Sequence, residues 1–262
     1  MLLLIDAGNT RIKWAIADTG LAWSGAPNWL RQDSVTHADI ATLKSAWKTL
    51  PISQILISNV AGVAIQQNLE SLLHGVAAGV KPEQFISSSE CAGLKNAYAL
   101  PAQLGCDRFA SAIGARALFP TKNLLVVTFG TATTIDAVTL DGTFIGGMIL
   151  PGLKLMAQSL AKNTAQLPQI VESLSLPHLF ADNTDQAIAS GCINAQVGAI
   201  IRAYDTLIKK QADPVSCIIS GGAAKFLTPH LGIAYQHVDN LVLTGLYIVA
   251  KATLIHSPHP TH

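Results

Sequence analysis

Two short turn sequences in opposite halves of the chain constrain its fold more than any other feature: Asp6-Ala7-Gly8-Asn9-Thr10-Arg11 and Phe129-Gly130-Thr131-Ala132-Thr133-Thr134. Each closes an apolar run, MLLLI in the first case and LLVVT in the second, and each runs on into an alternating stretch. A buried strand, a tight turn and a returning strand make a hairpin whose turn amides converge. Convergent amides form an anion-binding nest. Two such hairpins facing each other can hold the phosphates of a nucleotide from both sides, and the pairing predicts an enzyme that uses ATP.

The rest of the chain repeats an order around these turns. The first half reads as strands at Leu2–Ala7, Arg11–Asp18 and Leu21–Gly25, a helix at Ala38–Leu50, a buried strand at Gln54–Val60 and a helix at Ala64–His74. A short strand at Gln84–Ser87, a loop rich in Ser and Gly, and a helix at Asp107–Leu118 follow. The second half reads as strands at Leu124–Thr128, Thr133–Leu140 and Thr143–Leu150, with Asp141-Gly142 as a hairpin turn, then helices at Gly152–Lys162 and Asp185–Lys210. It closes with strands at Ser216–Ser220 and Ala234–Val238 and a helix at Leu241–His256. Strands alternating with helices argue for α/β layers. The expectation is a duplicated βββαβαβα topology in two lobes, residues 1–119 and 120–262, with a linker near Phe119-Pro120-Thr121-Lys122 and a cleft between the lobes.

Composition narrows the function. With half of its 262 residues hydrophobic, the chain can fill one large domain or two modest ones. A net charge of +1 with 13% charged residues gives no electrostatic case for nucleic acid or an anionic membrane surface. No apolar run approaches the ~20 residues that span a bilayer, and MLLLIDAGNT reads as a first strand rather than a signal peptide. Four cysteines without CxxC spacing point to a reducing cytoplasm.

Several residues are candidates for chemistry. Asp6 closes the first strand, where its carboxylate would face the cleft and organise Mg²⁺ or its water; the plain alternative is an ordinary hairpin turn. Gly8 and Asn9 suit the positive φ of a tight turn, and Thr10, Arg11 and Lys13 add donors. Gly130–Thr134 is the counterpart, small residues that let backbone approach an anion. Ser220-Gly221-Gly222-Ala223-Ala224 ends a buried strand and opens a helix, a context for a nucleotide or for simple helix–sheet packing. Asp107 precedes a strongly apolar helix and reads either as its N-cap or, beside Arg108, as a general base with a cation for an anionic substrate. Cys106 lacks any nucleophile signature. Trp14, Trp23, Trp29 and Trp47 read as core or edge packing, and Ser257–His262 as a disordered tail rather than a metal site.

Taken in order, DAGNTRIKW, LGCDRFASAIGA, VVTFGTATTIDAV, FIGGMILPGL, NTDQAIASG and ISGGAA resemble the motifs of the type III pantothenate kinases, members of the acetate-kinase/sugar-kinase/Hsp70/actin superfamily. The resemblance implies two actin-like (RNase H-like) lobes and a cytoplasmic homodimer. It also implies ATP-dependent phosphorylation of pantothenate to 4'-phosphopantothenate, the first step of coenzyme A biosynthesis. By position it implies that Asp6, Ala7, Gly8, Asn9, Thr10, Arg11, Ile12, Lys13 and Thr131 contact ATP, with Asp6 near Mg²⁺. Tyr98, Gly105, Cys106, Asp107, Arg108 and Thr184 match the pantothenate contacts, with Asp107 as general base and Arg108 as partner of the substrate carboxylate. The helix at Asp185–Lys210 resembles the family's dimer helix. Many members hold a monovalent cation (K⁺ or NH₄⁺) on an Asp two residues before the second turn's Gly; here that position is Thr128, a neutral hydroxyl. Similar sequences have also been grouped with accessory proteins of transcription, and a kinase for another small hydroxylated substrate is the third reading.

Overall fold

The structure, a computed structural model, describes residues 1–18, 20, 23–163, 178–211 and 213–256. The chain forms two compact units. The first holds Met1–Pro120, Gly142–Phe144 and the chain from Asn240 onward; the second holds Thr121–Asp141 and Ile145–Asp239. The continuous part of the first unit ends at Pro120, and the closing helix belongs with that unit.

In the first unit, β1 (Leu2–Ala7), β2 (Arg11–Ala17) and β3 (Trp29–Thr36) precede α1 (Leu43–Trp47), β4 (Gln54–Asn59), α2 (Val63–Val76) and β5 (Glu83–Gln84). The sheet order is β3-β2-β1-β4-β5. β1 runs antiparallel to β2 and parallel to β4. Leu2–Ile5 are fully buried, as befits a central strand covered on both faces, which reads as a continuous apolar run rather than an alternation. A small hairpin, β6 (Glu90–Cys91) and β7 (Leu94–Asn96), leads to α3 (Cys106–Leu118).

The second unit repeats the plan. β8 (Asn123–Phe129), β9 (Ala132–Val138) and β10 (Thr143–Pro151) are followed by α4 (Leu153–Asn163), α5 (Thr184–Lys210), β11 (Val215–Ser220), α6 (Ala224–Leu227) and β12 (Tyr235–His237). Its strands lie in the order β12-β11-β8-β9-β10, with β8 antiparallel to β9 and parallel to β11. α7 (Leu241–His256) closes the pattern. The fold is mixed α/β with the βββαβαβα order written twice.

Two local expectations need correction. The third strand is Trp29–Thr36, not Leu21–Gly25; Leu21 and Ala22 lie outside the described residues, and Trp23–Gly25 form no strand. β3 is an edge strand with half of its residues exposed and none buried, so it lacks the apolar alternation that marks a strand in sequence. The Ser/Gly-rich loop contains the β6–β7 hairpin, whose two-residue turn Ala92-Gly93 has φ of 49° and 77°. Both central residues at positive φ fit the type I′ turn that matches strand twist. The expectation for Ser257–His262 lies outside the described residues. Trp14 and Trp47 do pack in the first core, edge to face with centroids 5.8 Å apart.

Within the first unit α3 and α7 pack closely because glycines allow it. A Cβ on Gly245 would lie 1.8 Å from the Ala110 carbonyl oxygen, and one on Gly114 would lie 2.6 Å from that of Leu241. This crossing fixes the helix whose first turn carries Asp107 and Arg108. Among the described residues no helix is long and apolar enough to cross a membrane.

Candidate active site

The first hairpin turn is built by the register Ala7 opposite Ile12, which leaves Gly8, Asn9, Thr10 and the first residue of β2, Arg11, to make the turn. The Gly8 N–H donates to the Arg11 carbonyl at 3.0 Å. Neither Gly8 nor Asn9 has positive φ, contrary to expectation. A four-residue connection turns the chain without the mirror-image conformation that a two-residue hairpin demands. Gly8 serves closeness instead: a Cβ there would come within 3.3 Å of the Arg11 oxygen. Arg11 is held sideways, its guanidinium donating to the Ser34 hydroxyl at 2.9 and 3.2 Å and to the Ser34 carbonyl at 3.0 Å. Ile12 is buried in the core, so its part in the site is limited to its backbone.

Asp6, at the end of β1, is pushed up to about 7 by burial, opposed by Lys13 and reinforced by the neighbouring charge of Asp107. The two carboxylates therefore share one region of the first unit. A partly buried acid of this kind is raised because its charged form loses hydration. Mg²⁺ takes one or two carboxylates and completes its shell with water and substrate phosphates, a donor set that Asp6 fits. Among the described residues no group of three or more His, Cys, Asp or Glu side chains forms a metal cluster.

Asp107 is not the helix N-cap. Gly105 holds that position, with no side-chain cap bond, and Asp107 stands in the first turn. Its Oδ1 accepts from the Arg108 N–H at 2.8 Å. Burial raises its pKa, partly offset by that N–H and by the Arg108 charge. Gly105 leaves room for this placement: a Cβ there would lie 2.7 Å from the Asp107 Oδ1, which would have to shift. Cys106 is tied down, accepting from the Ser58 hydroxyl at 3.3 Å and donating to the Asn59 carbonyl at 3.7 Å. Burial raises its thiol, the reverse of what a nucleophilic cysteine needs.

Arg108 is 7% exposed. Its guanidinium donates to the Tyr98 hydroxyl at 3.0 Å and lies over the Tyr98 and Phe144 rings, 5.9 and 5.8 Å from their centroids. Phe144 is edge-on to Tyr98 at 5.8 Å. Asn96 orders the approach to Tyr98: its side chain donates to the Ser88 and Pro101 carbonyls and accepts from the Tyr98 N–H. A cavity of about 490 Å³ adjoins Gly105 and Cys106, lined by Asn59, Val60, Phe85 and Gln103 among others and without a charged residue. Phe144 and Asn96 are absent from the sequence expectation, because a Phe in a strand and an Asn in a loop carry no distinguishing signal.

In the second unit the Phe129–Thr133 register leaves only Gly130, Thr131 and Ala132 in the turn, with the Gly130 N–H donating to the Ala132 carbonyl at 3.0 Å. Thr131 is exposed at its tip. Gly152 lies so close beneath that a Cβ would come within 2.4 Å of the Gly130 oxygen. Gly221, at φ +101°, packs against the Phe129 backbone, where a Cβ would lie 2.2 Å from its oxygen. The Ser220–Ala224 segment thus serves packing beneath the turn, and α6 after it is only four residues long. Fully buried Gln196 of α5 joins the parts: it accepts from the Thr133 hydroxyl at 2.7 Å and donates to the Pro151 carbonyl at 3.2 Å. Thr128 is half-buried, opposite Thr134 and Ser220. Thr184 is the first residue of α5, after the Asn183 N-cap, and lines an apolar cavity of about 590 Å³ with Met156 and Ile188.

The structure therefore gathers Asp6, Lys13, Tyr98, Gly105, Cys106, Asp107 and Arg108 in the first unit, whereas Thr128, Thr131 and Thr184 belong to the second. The sequence model of the type III pantothenate kinase family matches residues 2–206. A type III pantothenate kinase of Janthinobacterium sp. (strain Marseille) is 53% identical over 263 residues, covering 98% of this chain and 99% of the relative. One of Herminiimonas arsenicoxydans is 52% identical over 257 residues, covering 97% and 99%. Among solved structures, a candidate Baf family transcriptional activator from Campylobacter jejuni aligns with TM-score 0.60 at 18% identity, covering 97% of this chain and 99% of that one. A candidate 2-dehydro-3-deoxygalactonokinase from Sinorhizobium meliloti aligns with TM-score 0.57 at 12% identity, covering 98% and 100%. At such identities the structural likeness shows the fold alone, and it gives the transcriptional reading no support. A family match over most of the chain, joined to relatives sharing half its residues end to end, is decisive: the chain belongs to the type III pantothenate kinase family.

Proposed function

We propose that this chain transfers the γ-phosphoryl group of ATP to the primary hydroxyl of pantothenate, giving 4'-phosphopantothenate and ADP, the first step of coenzyme A biosynthesis. Beside the family match, the observation that carries the reading is the pairing of a carboxylate of raised pKa, Asp107, with the buried Arg108 on consecutive residues. Asp107 takes the proton from the attacking hydroxyl oxygen; its raised basicity brings it closer to the operating pH. The hydroxyl oxygen then forms its bond to the γ-phosphorus as the bond to the β–γ bridging oxygen breaks. Phosphoryl transfer asks the protein mainly for positioning and charge stabilisation.

Arg108 and Tyr98 hold the substrate carboxylate. The Arg108 stack on two rings preorganises its planar donor fork. The turn from Asp6 to Lys13 and Thr131 take the ATP phosphates, and Asp6 would hold Mg²⁺, whose charge would offset that of the phosphates. Gly105, Cys106 and Thr184 complete the pantothenate contacts, and the protein works as a homodimer in the cytoplasm. Thr128 offers one neutral oxygen where a carboxylate would hold K⁺ or NH₄⁺, so the expected dependence on these ions is weak. Saturable activation by K⁺ or NH₄⁺ at constant ionic strength would refute that last point. The function itself is tested by ADP release with and without pantothenate; ADP formation that ignores pantothenate across a wide range of ATP overturns it.

A further inference from the structure

The geometry points to His37 as the positioning residue that sets the orientation of the phosphate-binding turn: its imidazole Nε2 lies 2.9 Å from the Gly8 carbonyl oxygen. A carbonyl only accepts, so Nε2 carries the proton and donates. The Gly8–Asn9 peptide is planar and trans, so its C=O and the Asn9 N–H point in opposite directions. Anchoring the carbonyl toward His37 therefore aims the Asn9 N–H away from it. Glycine makes the alternative cheap, because a residue without Cβ lets the adjoining peptide rotate, and a rotated peptide would present an oxygen to an anion instead of a donor. His37 selects the donor orientation.

The histidine is itself held. It follows β3 directly, in a turn where the Thr36 hydroxyl donates to Asp39 at 2.7 Å, the Asp39 N–H to the Thr36 carbonyl at 3.1 Å, and the Ile40 N–H to the His37 carbonyl at 3.4 Å. The neighbouring grip of Arg11 on Ser34 ties the far end of the same turn to the same strand. Edge strand β3 thus braces both ends of the loop, at Gly8 and at Arg11. A site is held to its productive geometry only when such supporting residues are fixed in turn. The ligand class is the polyphosphate of a nucleoside triphosphate, so the inference rests on the ATP-binding reading.

The test compares His37→Leu, which removes the donor, with His37→Gln, whose amide reaches a similar place. MgATP affinity is measured by calorimetry on the full chain, and KM for ATP and for pantothenate by ADP release. One neutral hydrogen bond predicts that H37L weakens MgATP binding about three- to tenfold. H37Q should restore most of that, and KM for pantothenate should stay near the wild-type value in both. Equal affinities of wild type and H37L overturn the inference. So do equal losses in H37L and H37Q, or a matching rise in KM for pantothenate, which would mark a structural role. Wild-type protein that binds no MgATP overturns the ATP reading itself, a result separate from any difference between the variants.

Discussion

At Asp107 capping and chemistry come apart. Gly105 occupies the cap position, and the carboxylate accepts from the next N–H in the first turn. Asp107→Asn keeps an oxygen for that bond and loses the base. Turnover should fall by about 10²–10⁴-fold while the urea midpoint stays near that of wild type; near-normal turnover would leave Asp107 a structural residue. Asp6 makes a pH prediction. Its folded pKa of about 7 lies above its ordinary value of 3.8. Protonation thus favours the folded apo protein, and the Asp6 contribution to stability grows as pH falls through 7 and is lost as pH rises. Mg²⁺ needs the ionised form, so MgATP affinity should rise between pH 6 and pH 8, with proton release at the lower pH, and Asp6→Asn should flatten the rise. A pH-independent affinity in wild type refutes this. Asp6, Asp107 and Arg108 were legible in the sequence because charge at the edge of an apolar run is conspicuous. His37, Phe144 and Gln196 were not: each acts through a contact far away in sequence, and each looks ordinary among its neighbours.

At the scale of elements the sequence showed most where burial was two-sided. β1, β4, β8 and β11 are covered on both faces and betray themselves as apolar runs. β3 hid because an edge strand has little to bury, and the β6–β7 turn hid because Ala92 takes a positive φ in place of the expected Asn or Gly. The α3–α7 crossing was also invisible, since a glycine in a helix says nothing about what it touches. Yet that crossing sets where Asp107 and Arg108 stand. Gly245→Ala drives a methyl into the Ala110 carbonyl, where a Cβ would sit at 1.8 Å. Backbone cannot yield as a side-chain tip can, so the two helices must move apart. Overpacking of this kind costs about 1–3 kcal/mol or more, and the displaced helix should also lower turnover. Urea unfolding and steady-state kinetics check both parts; a variant with unchanged midpoint and turnover would show that the crossing tolerates the methyl.

For the whole molecule, the chain carries 13% charged residues where soluble domains average about 25%, and several large apolar side chains are exposed. The second unit displays this most clearly. Along the end of β10, Gly147, Met148 and Ile149 are all exposed, although side chains alternate between two faces of a strand and one face is ordinarily covered. Ile149 is 64% exposed and Phe180, just before α5, 90%. Exposed apolar side chains at the end of a strand fit a surface that another protein covers, and the commonest such partner is a second copy related by a two-fold axis. In that geometry each substitution enters the interface twice, once from either subunit. The protein should therefore sediment as a dimer at micromolar concentration. Ile149→Asp should shift it to the single-chain mass with an unchanged far-ultraviolet circular dichroism spectrum, because the side chain it replaces touches little of its own fold. Wild-type protein that sediments as a monomer throughout that range would refute the dimer. A variant that stays dimeric would move the interface away from the end of β10.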